Sequence, residues 1–192
     1  MDHLLILKEV IKVSKAGNKP VYVTFLDVQK AYDKAWLDAI LYVLNKHGLE
    51  NRLWLIVKNL NENLSATIKT CHGPTREIKI TDSIRQGGVL SVVEYSLLMD
   101  EINKEILKKN IGIKLPNTKE KIGCLLWVDD VVLLSNNRYD MQQLLSITNN
   151  ISQRYHIQFG PDKSQTMIIN EKPNKESTLP LKLGNMDLKK NR

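Results

Sequence analysis

Trp127-Val128-Asp129-Asp130-Val131-Val132-Leu133-Leu134-Ser135 sets two adjacent acids between two apolar runs. The runs, Cys124 to Val128 and Val131 to Leu134, read as two short apolar strands. The two acids between them predict a two-residue hairpin turn at Asp129-Asp130. Asp is a common turn residue, so a merely polar turn accounts for the pair as well. The flanks argue for more. A surface hairpin alternates apolar and polar residues, whereas these flanks are nearly continuous. An acid pair in such a setting is costly to ionise unless a positive charge neutralises it.

Working outward, a lone acid, Asp27, ends another apolar run, Val21-Tyr22-Val23-Thr24-Phe25-Leu26. If Asp27 and the Asp129-Asp130 pair lie on adjacent strands, their carboxylates converge. They are then the donor set for two Mg²⁺ ions roughly 3.5–4 Å apart, which activate an attacking oxygen and stabilise a leaving one.

The remaining elements frame these strands. Leu4, Leu5, Leu7, Val10, Ile11 and Val13 predict a helix stopped near Gly17 and Pro20. Trp36 to Leu44 predicts an amphipathic helix with Gly48 at C′, and Leu53 to Leu64 a second one. Ala66 to Cys71 and Glu77 to Thr81 predict a hairpin around His72-Gly73-Pro74-Thr75. Gly87-Gly88 breaks the chain ahead of a helix through Leu97, Leu98, Ile102, Ile106 and Leu107. Met141 to Ile151 predicts another helix, and Gln165 to Ile169 a last strand. There is no internal repeat and no low-complexity segment. Helices interleaved with strands and hairpins predict an α+β fold, one sheet covered by helices.

Composition narrows the partners. The 192 residues carry a net charge of +7, with Lys and Arg spread along the length. That balance suits an anionic partner such as nucleic acid. Cys71 and Cys124 form no CxxC pair, and His3, His47, His72 and His156 show no zinc spacing. A zinc scaffold and a disulfide framework are therefore not expected, and a reducing compartment is. The N-terminus lacks the basic and apolar regions of a signal peptide. No apolar run reaches the roughly 18 residues of a membrane span.

Three further groups carry candidate chemistry. Tyr32, just past the first acid, walls the metal site or is a core tyrosine at a helix start. Arg85-Gln86-Gly87-Gly88-Val89-Leu90-Ser91 is a basic, glycine-rich turn opening a helix. It suits close approach to a phosphate, or is an ordinary loop with Ser91 as N-cap. Lys163, after Gly160-Pro161-Asp162, could donate a proton or offset charge near a phosphate, or be a solvated surface lysine.

Order and spacing then speak together. FLDVQKAYDKAW at Phe25–Trp36, RQGGVLS at Arg85–Ser91, WVDDVVLLS at Trp127–Ser135 and FGPDKSQTMIIN at Phe159–Asn170 stand in the order of reverse transcriptase motifs A, B, C and D. The chain resembles the reverse transcriptase of non-LTR (LINE-like) retrotransposons over roughly residues 1–190. The resemblance implies a right-hand polymerase palm, an antiparallel sheet packed on helices, here with incomplete fingers and no thumb. Residues 1–170 would form the palm with part of the fingers. Residues 171–192, rich in Pro, Asn and Lys, would be a poorly ordered lead-in to a missing thumb.

The resemblance also implies roles. Asp27, with the Val28 carbonyl, matches the motif A metal ligand, and Asp129 and Asp130 match the motif C pair. Two Mg²⁺ ions, or Mn²⁺, would be the cofactors. Tyr32 matches the aromatic steric gate against the sugar. Gln86, Gly87 and Gly88 match the turn beside the incoming nucleotide, and Lys163 the lysine that donates a proton to pyrophosphate. Arg85, Ser91 and Trp127 fall where template and primer are contacted. The implied reaction is attack of a primer 3′-hydroxyl on the α-phosphate of a deoxynucleotide, copying RNA into DNA. The implied partners are an RNA template, a DNA primer, dNTPs and the fingers and thumb regions of a longer polyprotein. The expected location is intracellular, nucleus or cytoplasm, without a membrane. Alone, such a fragment is expected to keep a metal site and to polymerise weakly or not at all.

Departures from the family pattern are local. Trp127-Val128 stands where Tyr or Phe, then Ala, is usual. Val92 follows Ser91 in place of Pro, and Glu94-Tyr95-Ser96 replaces Leu-Phe-Asn. A Mg²⁺-dependent phosphotransfer domain also uses an acid pair, a lone acid and a lysine. Receiver domains place the pair before the lone acid, and dehalogenase-like domains carry a second acid where Gln29 stands here. A basic RNA-binding remnant without turnover is a further alternative.

Overall fold

The computed structural model describes residues 3–62, 64–80, 83–115, 119, 121–171 and 179–191. In chain order the elements begin with α1 (His3–Gly17), β1 (Val21–Asp27), α2 (Leu37–Lys46) and α3 (Asn51–Asn61). Four two-residue strands follow, β2 (Ser65–Ala66), β3 (Lys69–Thr70), β4 (Gly73–Pro74) and β5 (Ile78–Lys79), and then α4 (Val89–Lys109). The remainder is β6 (Ile113–Lys114), β7 (Lys121–Ile122), β8 (Cys124–Trp127), β9 (Asp130–Ser135), α5 (Arg138–Arg154), β10 (Gln165–Ile169), β11 (Lys182–Leu183), β12 (Met186–Asp187) and β13 (Lys189–Asn191). They make two compact units, residues 1–29 with 99–192, and residues 30–98.

The first unit is built on β1. Val21, Tyr22, Val23, Thr24 and Leu26 are all buried. A strand covered on both faces reads as an unbroken apolar run for this reason. β1 is the middle of a five-stranded sheet ordered β13-β10-β1-β9-β8. β9 and β10 flank it antiparallel, and β13 joins β10 in parallel. Side chains alternate across the sheet. Val21 and Val23 join Val10 of α1, Ile113, Leu125 and Leu134 in one apolar cluster. On the other face, Thr24 Oγ1 lies 2.8 Å from Thr166 Oγ1 and 3.3 Å from the Met141 sulfur of α5. α5 buries Met141, Leu144, Leu145, Thr148 and Ile151, the stripe expected of a helix on a sheet. Its start is set by Asn137, whose side chain accepts the Asp140 N–H at 2.8 Å.

In the second unit, α2 buries Ala39, Ile40, Leu41, Val43 and Leu44. It ends as the sequence predicts. Gly48 adopts φ +88°, its N–H donates to Asn45 O at 2.9 Å, and the Leu49 N–H donates to Leu44 O at 3.0 Å. This is the Schellman pattern, and its left-handed residue is why glycine stands there. α3 buries only Val57 and Asn61. Its Leu53, Ile56 and Leu60 are exposed. Trp54 Nε1–H donates to Leu41 O at 3.2 Å, tying α3 to α2.

Four expectations need correction. The hairpin between β8 and β9 turns at Val128-Asp129, with Trp127 opposite Asp130, so Asp130 belongs to the strand. The predicted hairpin over 66–81 is two short ladders, β2 with β5 and β3 with β4. Its turn is at Cys71-His72, and Gly73-Pro74 is strand; Thr81 lies outside the described residues. Ser91 is not an N-cap, because α4 starts two residues earlier at Val89. The predicted disorder over 171–192 does not hold where the chain is described. Leu181, Leu183 and Leu188 are buried, and Gln142 of α5 grips β11 through both amide atoms. It donates to Lys182 O at 2.8 Å and accepts from Lys182 N at 3.1 Å. Residues 172–178 and 192 lie outside the described residues.

Candidate active site

In the first unit, β1 and β9 run side by side to the same end of the sheet, with Asp27 opposite Asp130. Asp27 directs both backbone groups to the other side of β1. Its carbonyl accepts the Gly160 N–H at 2.8 Å, and its N–H donates to Ser164 Oγ at 3.4 Å. The Asp27–Asp130 pair is therefore of the non-hydrogen-bonded kind, whose Cα atoms approach to about 4.5 Å and whose side chains lie closest. The two carboxylates face the same side of the sheet. Asp129 precedes Asp130 in the turn.

Val28 adds a backbone group at this point. It forms an isolated antiparallel bridge with Phe159, flanked by the Gly160 N–H to Asp27 O bond and a Gln29 N–H to Gln158 O bond of 2.7 Å. In such a pair the central residue's own N–H and C=O point the opposite way. For Val28 that direction is the side of β9 and its hairpin.

The hairpin tip is unusual. Val128 adopts φ +57°, a left-handed conformation that β-branched residues rarely take. A positive φ at the first of two turn positions marks the type II′ hairpin, where glycine is usual. Trp127, 72% exposed, stands across from Asp130 and meets the His3 ring edge-on at 6.2 Å.

A tight turn wraps the other side of Asp27. The Ser164 N–H donates to Gly160 O at 3.0 Å, closing residues 160–164 into one helical turn. This turn places Lys163 Nζ 3.6 Å from Asp27 Oδ2. Sequence reasoning singled out Lys163 but not Gly160 or Ser164, whose work is done through backbone bonds to Asp27. The Gly-Pro-Asp run ahead of β10 was the available signal.

Charge concentrates here. Burial first, then the neighbouring charges of Asp129 and of Asp27, push the Asp130 carboxyl above its ordinary value. Among the described residues no three acidic, histidine or cysteine side chains are drawn together into a ready-made metal cage. The donor chemistry is nonetheless uniform. Carboxylate and carbonyl oxygens suit hard divalent ions such as Mg²⁺ and Mn²⁺ rather than zinc.

The other sequence-predicted residues fall in the second unit. Tyr32 stacks on Tyr95 at 5.6 Å and 30°, and its carbonyl accepts the Ile84 N–H at 3.0 Å. Gln86 Nε2–H donates to Asp33 Oδ1 at 2.9 Å, which ties the motif B turn to the segment after β1. Gly87 has φ +79°, and the Gly88 N–H donates to Arg85 O at 3.2 Å. A Cβ on Gly88 would meet buried Ser91 Oγ at 2.8 Å and Arg85 O at 3.3 Å. Arg85 is exposed. The structure thus gathers Asp27, Val28, Asp129, Asp130, Trp127 and Lys163 in one unit, and Tyr32, Arg85, Gln86, Gly87, Gly88 and Ser91 in the other.

A largely antiparallel sheet that sets Asp27 at the end of β1 opposite Asp130 at the start of β9, with helices packed on it, is the architecture of a polymerase palm. The profile described as "Reverse transcriptase (RNA-dependent DNA polymerase)" matches residues 3–183. The chain belongs to that family. It is 27% identical over 192 residues to the "Retrovirus-related Pol polyprotein from type-1 retrotransposable element R2" of Nasonia vitripennis, covering 97% of this chain and 18% of that one. It is 25% identical over 178 residues to the "Retrovirus-related Pol polyprotein from type-2 retrotransposable element R2DM" of Drosophila melanogaster, covering 93% and 17%. These relatives place the domain among those of non-LTR retrotransposons, and the chain spans less than a fifth of their length. Among solved structures, "apo telomerase from Candida Tropicalis truncated from C-terminal domain" superposes with a TM-score of 0.65 at 14% identity, covering 90% of this chain and 36% of that one. The Candida albicans telomerase in complex with a fragment of telomeric RNA gives 0.60 at 13% identity, covering 91% and 31%. At such identity the likeness is one of fold. Among the described residues no helix is long and apolar enough to cross a membrane.

Proposed function

We propose that this chain is the catalytic palm of an RNA-directed DNA polymerase, joining a deoxynucleotide to a primer 3′-hydroxyl on an RNA template. The observation that carries the proposal is the Asp27–Asp130 close pair with Asp129 beside it. Reverse transcriptases work with divalent metal ions, and here Asp27, Asp129, Asp130 and the Val28 carbonyl would hold two Mg²⁺, with Mn²⁺ as substitute. When bound, the ions would lower the charge on the α-phosphate and on the attacking and leaving oxygens. The protein's own share is positioning and charge. The β1–β9 register holds the acids together, and the turn at 160–164 fixes the backbone of Asp27. Lys163 stands within reach of the same edge, where a phosphate-bound proton would be delivered.

To the second unit the motif match assigns nucleotide contacts. Tyr32 would sit against the sugar and disfavour a 2′-hydroxyl, and Gln86, Gly87 and Gly88 would border the nucleotide. Arg85, and Trp127 of the first unit, would meet template and primer, aided by the net charge of +7, while Ser91 is buried against Gly88. The free thiols Cys71 and Cys124 suit an intracellular setting. The remaining fingers and thumb would come from a longer polyprotein.

The test is primer extension with an RNA template, a DNA primer, dNTPs and Mg²⁺. The isolated chain should add few nucleotides, and Asp129→Asn should lower that addition by about 100-fold or more. Unchanged extension by Asp129→Asn would overturn the site assignment. Processive synthesis by the wild-type fragment would overturn the expectation that fingers and thumb are needed.

A further inference from the structure

Lys163 is better placed for Asp27 than a surface lysine need be. The Gly160–Ser164 turn is fastened to β1 at Asp27 itself, through the Gly160 N–H to Asp27 O bond and the Asp27 N–H to Ser164 Oγ bond. The same turn carries the Lys163 ammonium to 3.6 Å from Asp27 Oδ2. The pair is shallow, with the lysine side chain 75% and the aspartate 35% exposed. Exposed pairs of this kind are held weakly and exchange readily. The ammonium therefore supplies countercharge to Asp27, at an oxygen that a divalent ion would also claim. Two cations cannot share that oxygen without strong repulsion.

We propose, resting on the metal-site reading above, that Lys163 is a tethered counter-cation that a divalent ion must displace from Asp27 in order to bind. Displacement frees the ammonium for a nucleotide phosphate, so metal binding shifts the lysine from Asp27 toward the substrate. Metal loading and lysine release are thereby coupled.

Mn²⁺ binding to the full 192-residue chain, followed by calorimetry, tests this. Removing one unit charge a few ångströms from the ion, at an exposed site, should tighten Mn²⁺ binding about three- to tenfold in Lys163→Gln. Lys163→Arg, which keeps the charge, should stay within about twofold of wild type. Independently, the acylation rate of Lys163, read by mass spectrometry, should rise on Mn²⁺ saturation. In Asp27→Asn it should be high from the start and not respond. Mn²⁺ affinity equal in Lys163→Gln and wild type, with binding still lost in Asp129→Asn, would overturn the lysine inference alone. Binding that is absent in wild type, or indifferent to both Asp27→Asn and Asp129→Asn, would remove the metal reading and this inference together.

Discussion

Replacing Asp130 by Asn should make the metal-free protein more stable at neutral pH. Asp130 faces Asp27 across a close strand pair, and its carboxyl is pushed up by partial desolvation, then by Asp129 and by Asp27. Two unit charges about 5 Å apart repel by about 0.8 kcal/mol in a water-like medium, and by about twice that at half the dielectric constant. Asp130 is exposed, so screening keeps the gain near the lower figure, about 1 kcal/mol with Asp129 included. For a chain of this size that is a rise of about 2–4 °C in Tm. The pH dependence has a definite sign. The folded protein holds the Asp130 proton to higher pH than the unfolded chain, whose ordinary value is 3.8. The contribution of the protonated group is fully present below that value and is lost as pH rises through the raised folded one. The advantage of Asp130→Asn should therefore be present at pH 7 and vanish near pH 3.5. Urea unfolding with EDTA at both pH values reads this directly. With saturating Mn²⁺ the order should reverse, because wild type binds the ion better and gains by mass action. A variant less stable than wild type at pH 7 without metal, or an equal gain at both pH values, refutes the charge-crowding account.

Three further outcomes are expected. Glu94 is buried, with its Oε2 lacking a hydrogen-bond partner among the described residues, and burial raises its carboxyl despite the Asn61 bond. Wild-type stability should fall as pH rises through that raised value, and Glu94→Gln, which can keep the Asn61 bond, should flatten the profile in denaturation at pH 5 and 8, with a gain of about 1 kcal/mol at the higher pH. Gly88→Ala should destabilise by about 1–2 kcal/mol, since its Cβ meets Ser91 Oγ and Arg85 O; the double variant with Ser91→Ala should recover part of that, and strict additivity in the cycle would refute the clash. Gln142→Ala should speed hydrogen exchange at the Lys182 amide, which it accepts at 3.1 Å, while amides in β1 keep their protection.

The sequence is most legible where one physical signal acts alone. β1 reads as a strand because both of its faces are buried, and α2 ends at Gly48 because a left-handed residue is needed there. Asp27 could be placed at a strand end for the same reason. The hairpin turn was misplaced by one residue because Val128 carries no turn signal. Its positive φ is imposed by the Trp127–Asp130 register, which no local preference reports. The strands near the C-terminus were invisible for a different reason. Their support is non-local, from β10 pairing and the Gln142 amide, while their composition is that of a loop. Of the candidate site, the carboxylates and Lys163 could be read from chemistry and spacing. Gly160 and Ser164 could not, because what they offer is hydrogen bonding to the Asp27 backbone rather than reactive side chains.

The left-handed valine at the hairpin tip has a consequence for how this site can change. A β-branched residue held there stores of the order of 1–3 kcal/mol, so Val128→Gly should raise thermal stability while letting the loop that carries Asp129 wander. An apparently inert side chain would then govern how sharply a carboxylate is aimed. Selection for robustness and selection for chemistry would pull this one position in opposite directions.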